Sequence, residues 1–403
     1  MSTEPGSVTT RCVYYFGGFD PRGAGHYHKL FRNQAEKLQD ENTRIKIGKR
    51  CRASDVFYFW SVFLEKHSAE SLNNEQIQTT HVFMGWDDII RRYWARSNVE
   101  LIYYFLASYL SKTSWSALNR VRKYFFPAFF SGIFPFVFFI FYAITAFVSV
   151  YLTDKIIQHV ANFESLIALA IRISVFILLT ALFYILANRI GVLWLLRIYH
   201  FNILFSEEKI EGIESRQKEW VEHIIERQIK DPVDEVIFSA HSVGTLLLIG
   251  VIDRLLADER WKKLQCKTTI NILTLGQCYP FITLMPSAVN FRLALQRICN
   301  DKNVMWLDVT ARIDPLCFFN MHPLQHTGID FTHFPQPLLH SARFFRMYNP
   351  EKWREIRRNK MLAHFLYLMA PDKAHGFNVY DFFYGPDTFR NKVVQLSHAR
   401  KSA

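Results

Sequence analysis

The chain predicts an α/β fold with a mainly parallel sheet covered by helices on both faces, carrying a two-helix transmembrane hairpin as an insertion. Three observations predict it. Short apolar runs alternate with helical stretches, the pattern of strand and helix units that assemble into a parallel sheet. One such run, Val236 to Ala240, passes through His241-Ser242-Val243-Gly244-Thr245 in an abrupt strand-to-helix turn at a serine. A third stretch, Phe125 to Leu152, carries no charged side chain. At about 1.5 Å of rise per residue it is more than long enough to cross a hydrocarbon core of about 30 Å.

The elements follow in order. Met1 to Thr10 is polar and lacks an apolar h-region, so no cleavable signal peptide is expected. Cys12 to Phe16 reads as a strand ending in Gly17-Gly18-Phe19-Asp20-Pro21, where a glycine pair lets backbone amides approach a substrate. A helix is expected from about His26 to Leu38, then strands at Arg44 to Lys49, Val56 to Leu64 and His81 to Gly85. Trp86-Asp87-Asp88 opens a helix running to about Ser111, its acids at the positive end of the helix dipole.

The first apolar span, Phe125 to Leu152, is followed by a short connection, Thr153 to Glu164, and a second span from about Ile173 to Leu196. Pro127 and Pro135 are expected to kink the first span, and Arg172 and Arg189 to snorkel toward headgroups from the second. Arg120, Arg122, Lys123, Arg189 and Arg197 flank the hairpin, against one lysine in its connection. The positive-inside bias therefore puts both termini and the soluble parts on the cytoplasmic side, the expectation being an integral protein of a bacterial inner membrane. Beyond the hairpin, Glu207 to Ile229 reads as an amphipathic helix, Val243 to Ala257 as the helix after the serine, Thr268 to Leu275 as a strand, Ser287 to Cys299 as a helix and Asn303 to Thr310 as a strand. The organisation expected is 1–120 and 201–403 as two parts of one α/β domain, with 121–200 inserted between them.

Bulk properties narrow the partners. Aromatic residues make up 16% of the chain, 37 of them Phe, and the net charge is +12. Together they point toward membrane lipids and an anionic surface. Nucleic acid is excluded as a partner, because the basic residues are scattered and no nucleic-acid-binding signature is present. Cys12, Cys51, Cys266, Cys278, Cys299 and Cys317 are spread without a C-x-x-C pair and read as reduced, mostly buried thiols.

The serine turn carries the chemistry. A serine hydroxyl becomes a nucleophile when a tight turn holds it clear of the sheet within reach of a base, and only small neighbours fit there, here Ala240 and Gly244. The amide of Val243 at the helix start, with that of Gly18 or Phe19 after the first strand, would hold a developing oxyanion. A base and a carboxylate complete such a site. Asp314, in Asp314-Pro315 just past the strand ending at Thr310, is the expected carboxylate, with Asp308 its rival. For the base, His364 in His364-Phe365-Leu366-Tyr367 leads, and His375 in a Gly-flanked loop is the alternative. No cofactor is expected. A metal centre at His26, His28 and Asp20, or at His322, His326 and Asp330, is a weaker reading for want of a strong ligand signature.

The order of Gly17-Gly18, the Ala240-His241-Ser242-Val243-Gly244 elbow, Asp314 and His364 to Tyr367 resembles the α/β-hydrolase superfamily, especially its lipase-like members. The resemblance implies a sheet of α/β-hydrolase type and hydrolysis of an ester, thioester or amide through an acyl-enzyme on Ser242. The hairpin precedes the elbow, whereas insertions in that superfamily usually follow it. With the anchor, the expected substrate is a lipid or acylated amphiphile. The alternative is a non-catalytic membrane protein whose hydrolase-like domain binds a lipid or protein partner.

Overall fold

The computed structural model describes residues 8–67, 75–160, 165–265, 269–373 and 376–401. Among the described residues nine strands form one sheet: β1 (Thr10–Phe16), β2 (Thr43–Ile47), β3 (Cys51–Arg52), β4 (Phe57–Lys66), β5 (Glu75–Met84), β6 (Glu235–His241), β7 (Ile270–Leu275), β8 (Val304–Thr310) and β9 (Leu338–Ser341). Their order is β2-β4-β5-β1-β6-β7-β8-β9, with β3 paired to β4. From β5 to β9 all neighbours run parallel, whereas β2, β3 and β5 each pair antiparallel with β4. The sheet is thus parallel at its centre and antiparallel at one edge. Parallel central strands are buried on both faces, which is why β1, β6 and β7 read as nearly unbroken apolar runs.

Successive residues of β1 reach opposite layers, as the two-residue period of a strand requires. Tyr15 meets Phe31 of helix Gly23–Ala35 and Phe383 of helix Val379–Tyr384 on one face, at ring separations of 5.2 and 6.3 Å. Phe16 meets Trp220 of helix Ile213–Lys230 on the other, at 5.2 Å. The strand starts are tied to the end of the chain by a buried ion pair, Arg11 Nε donating to Glu235 at 2.7 Å. Arg11 also donates to the carbonyl oxygens of Gly385 and Asp387, and Glu235 accepts from the Phe389 amide. Every charge there has a partner, the condition under which a buried ion pair is tolerated.

Two compact units divide the chain, Met1–Trp94 with Phe205–Ala403, and Ala95–Leu204. The second is wider than the stretch 121–200 because helices Asn98–Tyr109 and Lys112–Tyr124 belong to it. The single helix expected from Trp86 to Ser111 is in fact two. Asp87–Arg92 ends before Ser97, whose side chain accepts from the Glu100 amide while Glu100 reaches back to the Ser97 amide, a capping box that starts a new helix.

The apolar helices also differ in extent from the expected spans. The first runs Phe126–Val160, continuing through Asp154 and Lys155 where a connection was expected, with Pro135 inside it. The second runs Ser165–Arg189 and stops at Gly191 (φ 80°), so Val192–Ser206 forms a separate helix. The early start of the second helix allows Arg172 to pair with Asp154 of the first, and Tyr142 and Thr180 share a hydrogen bond of 2.7 Å. Segments Phe126–His159 and Leu166–Arg189 have mean hydropathies of 2.3 and 2.6 in their most apolar windows, of which only 17% and 6% is buried. Both helices are long and apolar enough to cross a membrane. A core helix of a water-soluble domain would bury such surface, whereas Phe130, Phe141, Phe147 and Leu178 are exposed.

Elsewhere the elements shift by a few residues. β5 begins at Glu75 because it pairs with β4 along ten residues, and the amphipathic helix begins at Ile213, after Gly212 turns the chain at φ 83°. β9 was not anticipated. Its four residues carry no alternation strong enough to read, and they become a strand by pairing beside β8. Cys51 is exposed, Cys12, Cys278, Cys299 and Cys317 are buried free thiols, and Cys266 lies outside the described residues.

Candidate active site

Ser242 sits between β6 and helix Gly244–Ala257 with φ at 55°. A non-glycine residue in the left-handed region costs on the order of 1–3 kcal/mol and persists only where surrounding contacts impose it. Three do so here. The Ser242 amide donates to the Leu275 carbonyl at 3.0 Å, and its carbonyl accepts from the Thr245 amide at 3.0 Å and the Thr245 hydroxyl at 2.6 Å. The turn also needs room. A methyl on Gly244 would lie 2.4 Å from the carbonyl oxygens of Phe16 and Gly17, so the elbow helix runs directly against the end of β1. Gly244→Ala is therefore expected to lower the melting temperature by several degrees, read by a thermal melt of the purified protein, because backbone must move to admit one carbon.

The turn after β1 is held against the elbow. Trp86 Nε1 donates to the Gly17 carbonyl at 3.0 Å, and a methyl on Gly18 would stand 3.2 Å from Ser242 Cβ. The Gly18 amide, expected as an oxyanion donor, instead donates to the Tyr27 hydroxyl at 3.2 Å. That bond engages the Gly18 amide within the turn, and the ring of Phe19, the other expected donor, stacks on Trp94 at 5.7 Å. Val243 is the N-cap of helix Gly244–Ala257, and among the described residues its amide donates to no other group.

The expected carboxylate and one expected histidine are together. His364 Nδ1 and Asp314 Oδ2 are 2.9 Å apart, both buried. Burial pushes the Asp314 carboxyl up, but His364 and the amide of Leu316 outweigh it and hold the group below its usual range. The carboxylate is thus ionised and can only accept, so Nδ1 carries the proton. The Tyr367 hydroxyl donates to the same Asp314 oxygen at 3.1 Å, and its ring lies against Gly276, whose φ is 53°. The second histidine candidate, His375, lies outside the described residues.

His241 joins the two halves of the site. Its Nε2 is 2.9 Å from the His364 carbonyl, and the two imidazole rings are 4.7 Å apart. A carbonyl only accepts, so Nε2 carries the proton. Burial, with the neighbouring His364 adding to it, pushes the His241 pKa down to about 3, so the ring is neutral at physiological pH. Ser242 and His364 are 122 positions apart, and this bond ties the residue beside Ser242 to the backbone of His364. Sequence reasoning passed over His241. Its signal was an imidazole at the end of a fully buried strand, directly before the serine.

Asp308, the rival carboxylate, plays another part. It lies within β8, accepts from the Thr274 hydroxyl at 2.6 Å, and burial pushes its pKa to about 7. The sign of its effect follows from proton uptake. Between about pH 4 and about pH 7 the folded state keeps a proton that the unfolded state has lost, so this group destabilises the fold as pH rises through that window. Asp308→Asn is expected to remove that loss, gaining on the order of a few kcal/mol at pH 8 relative to pH 4 in denaturation compared with wild type. Its reactivity toward serine probes should stay at the wild-type level.

The alternative metal groupings do not converge. Asp20 is paired with Arg22, and His28 Nε2 meets the Gly48 carbonyl at 2.9 Å. His322 uses both ring nitrogens, on the Gln336 carbonyl and the Leu324 amide, and Asp330 accepts from Thr332. Among the described residues no cluster of three or more His, Cys, Asp or Glu side chains has metal-binding geometry. Compared with known protein families, curated proteins and solved structures, the chain matches none.

Proposed function

We propose that the chain is a membrane-anchored serine hydrolase with a sheet of α/β-hydrolase type, cleaving an ester or thioester bond of a lipid or acylated amphiphile. The observation that carries the reading is a strained serine at a strand-to-helix turn, linked through His241 to a buried His364–Asp314 pair. A plain helix N-cap would need neither the left-handed φ nor the coupled imidazole.

In this reading Ser242 Oγ attacks the acyl carbonyl carbon, and His364 takes the hydroxyl proton on Nε2, since Nδ1 is engaged with Asp314. Asp314 stabilises the imidazolium, and the Tyr367 hydroxyl steadies the carboxylate by donating to the same oxygen that faces His364. The amides of Val243 and Phe19 hold the oxyanion of the tetrahedral intermediate. His364 then gives the proton to the leaving alcohol or thiol. Water, activated by the same base, releases the acid and regenerates Ser242.

The two apolar helices supply the anchor in this reading, and the excess of Lys and Arg flanking them supports a cytoplasmic side for the termini and the hydrolase unit. Holding the enzyme at a bilayer raises the effective concentration of lipid substrates. The test is covalent labelling of the detergent-solubilised protein by a fluorophosphonate. Labelling is expected in the wild type, and a folded wild type that stays unlabelled in both detergent and liposomes overturns the proposal.

A further inference from the structure

The basic stretch before His364 is not used by the proposed chemistry. Residues 343–361 contain seven Lys or Arg and two Glu, a net charge of +5 in nineteen positions out of +12 for the chain. Arg354, Arg357, Arg358 and Lys360 are exposed, on and just after helix Pro350–Arg358, and among the described residues they form no ion pair. Phe345 is 54% exposed, Met361 is also exposed, and the Phe345 ring lies 6.4 Å from Trp353 and under the Arg346 guanidinium at 5.7 Å. The patch is held in place from behind. Ile356 is buried, Asp372 accepts from the Asn349 amide at 3.1 Å, and Lys352 donates to the same carboxylate at 2.7 Å.

Unpaired cations beside exposed aromatic and thioether side chains suit one kind of surface. An anionic bilayer offers phosphate and carboxylate groups to the cations and, a few ångströms deeper, an apolar boundary to Phe345 and Met361. Nucleic acid would meet the charge but leave Met361 without a partner.

We propose that residues 343–361 form a docking surface for anionic lipid headgroups. The proposal rests on the reading of the chain as membrane-anchored and does not depend on the serine chemistry. Met361 and the catalytic His364 lie three positions apart on helix Lys360–Phe365, so docking here would bring lipid to the base's own helix.

The test uses the full chain in nanodiscs, with Cys51→Ser and Cys266→Ser and with an environment-sensitive nitrobenzoxadiazole on Phe345→Cys. Discs of phosphatidylcholine alone are compared with discs containing phosphatidylglycerol. Expected are a blue shift and quenching by brominated acyl chains in the anionic discs, lost at high salt and in the triple variant Arg354→Glu, Arg357→Glu, Arg358→Glu. Identical emission in the two discs, or a shift that survives charge reversal, overturns the proposal. The same shift produced by RNA with protein in phosphatidylcholine discs would overturn it in favour of nucleic acid. Co-elution with the discs reads the anchor and emission reads the docking, so failure of either is seen separately.

Discussion

Ser242→Ala is expected to abolish fluorophosphonate labelling, with a loss of at least about 10⁴-fold in rate, the scale of removing a triad nucleophile. The substitution takes away one oxygen and keeps the elbow. The hydrogen bonds that impose the turn use the Ser242 backbone, not its hydroxyl, so the melting temperature should move by only a few degrees. Ser239, three residues earlier, is the matched control. Its hydroxyl donates to the Leu273 carbonyl inside the sheet, and Ser239→Ala should label like wild type. Labelling that persists without Ser242, or that disappears with Ser239, would put the nucleophile elsewhere.

The second large effect is expected at Asp314. Asp314→Asn preserves volume but replaces an acceptor with an amide, so the His364 Nδ1 proton loses the partner that holds it there. The tautomer with its proton on Nε2 then competes, and that nitrogen no longer takes a proton from serine. A drop on the order of 10⁴-fold in labelling rate is expected, shared by His364→Ala and absent from His375→Ala and Asp308→Asn. The contrast between the two aspartates is the sharper measurement. Both are buried and six positions apart, but one is ionised beside an imidazole and the other holds its proton among neutral partners to about pH 7. An Asp314→Asn protein that labels at the wild-type rate, or an Asp308→Asn protein that does not, would reverse the assignment.

Local signals were legible along the chain. The elbow could be read because β6, the turn and the following helix are contiguous, and the small residue at Gly244 is required by its contact with the end of β1. The apolar helices were legible because hydropathy over a window of residues depends on composition alone. Their ends were not. The first continues past Leu152 and the second starts before Ile173, and the Asp154–Arg172 ion pair between them joins residues that no local pattern links.

What the sequence by itself determined is the set of parts: a strand ending at a serine, an aspartate past a later strand, two candidate histidines, a glycine pair after the first strand and two membrane-length apolar stretches. What only the tertiary structure decided is which parts meet. It paired His364 with Asp314, turned the Gly18 amide toward Tyr27, gave Asp308 a separate environment, and made Leu338–Ser341 a strand beside β8. The physical reason is range. Periodicity, turn geometry and hydropathy act over a few residues and are written in neighbours. The partners of a buried imidazole or a carboxylate come from strands and loops tens to hundreds of positions apart, and folding alone brings them within 3 Å.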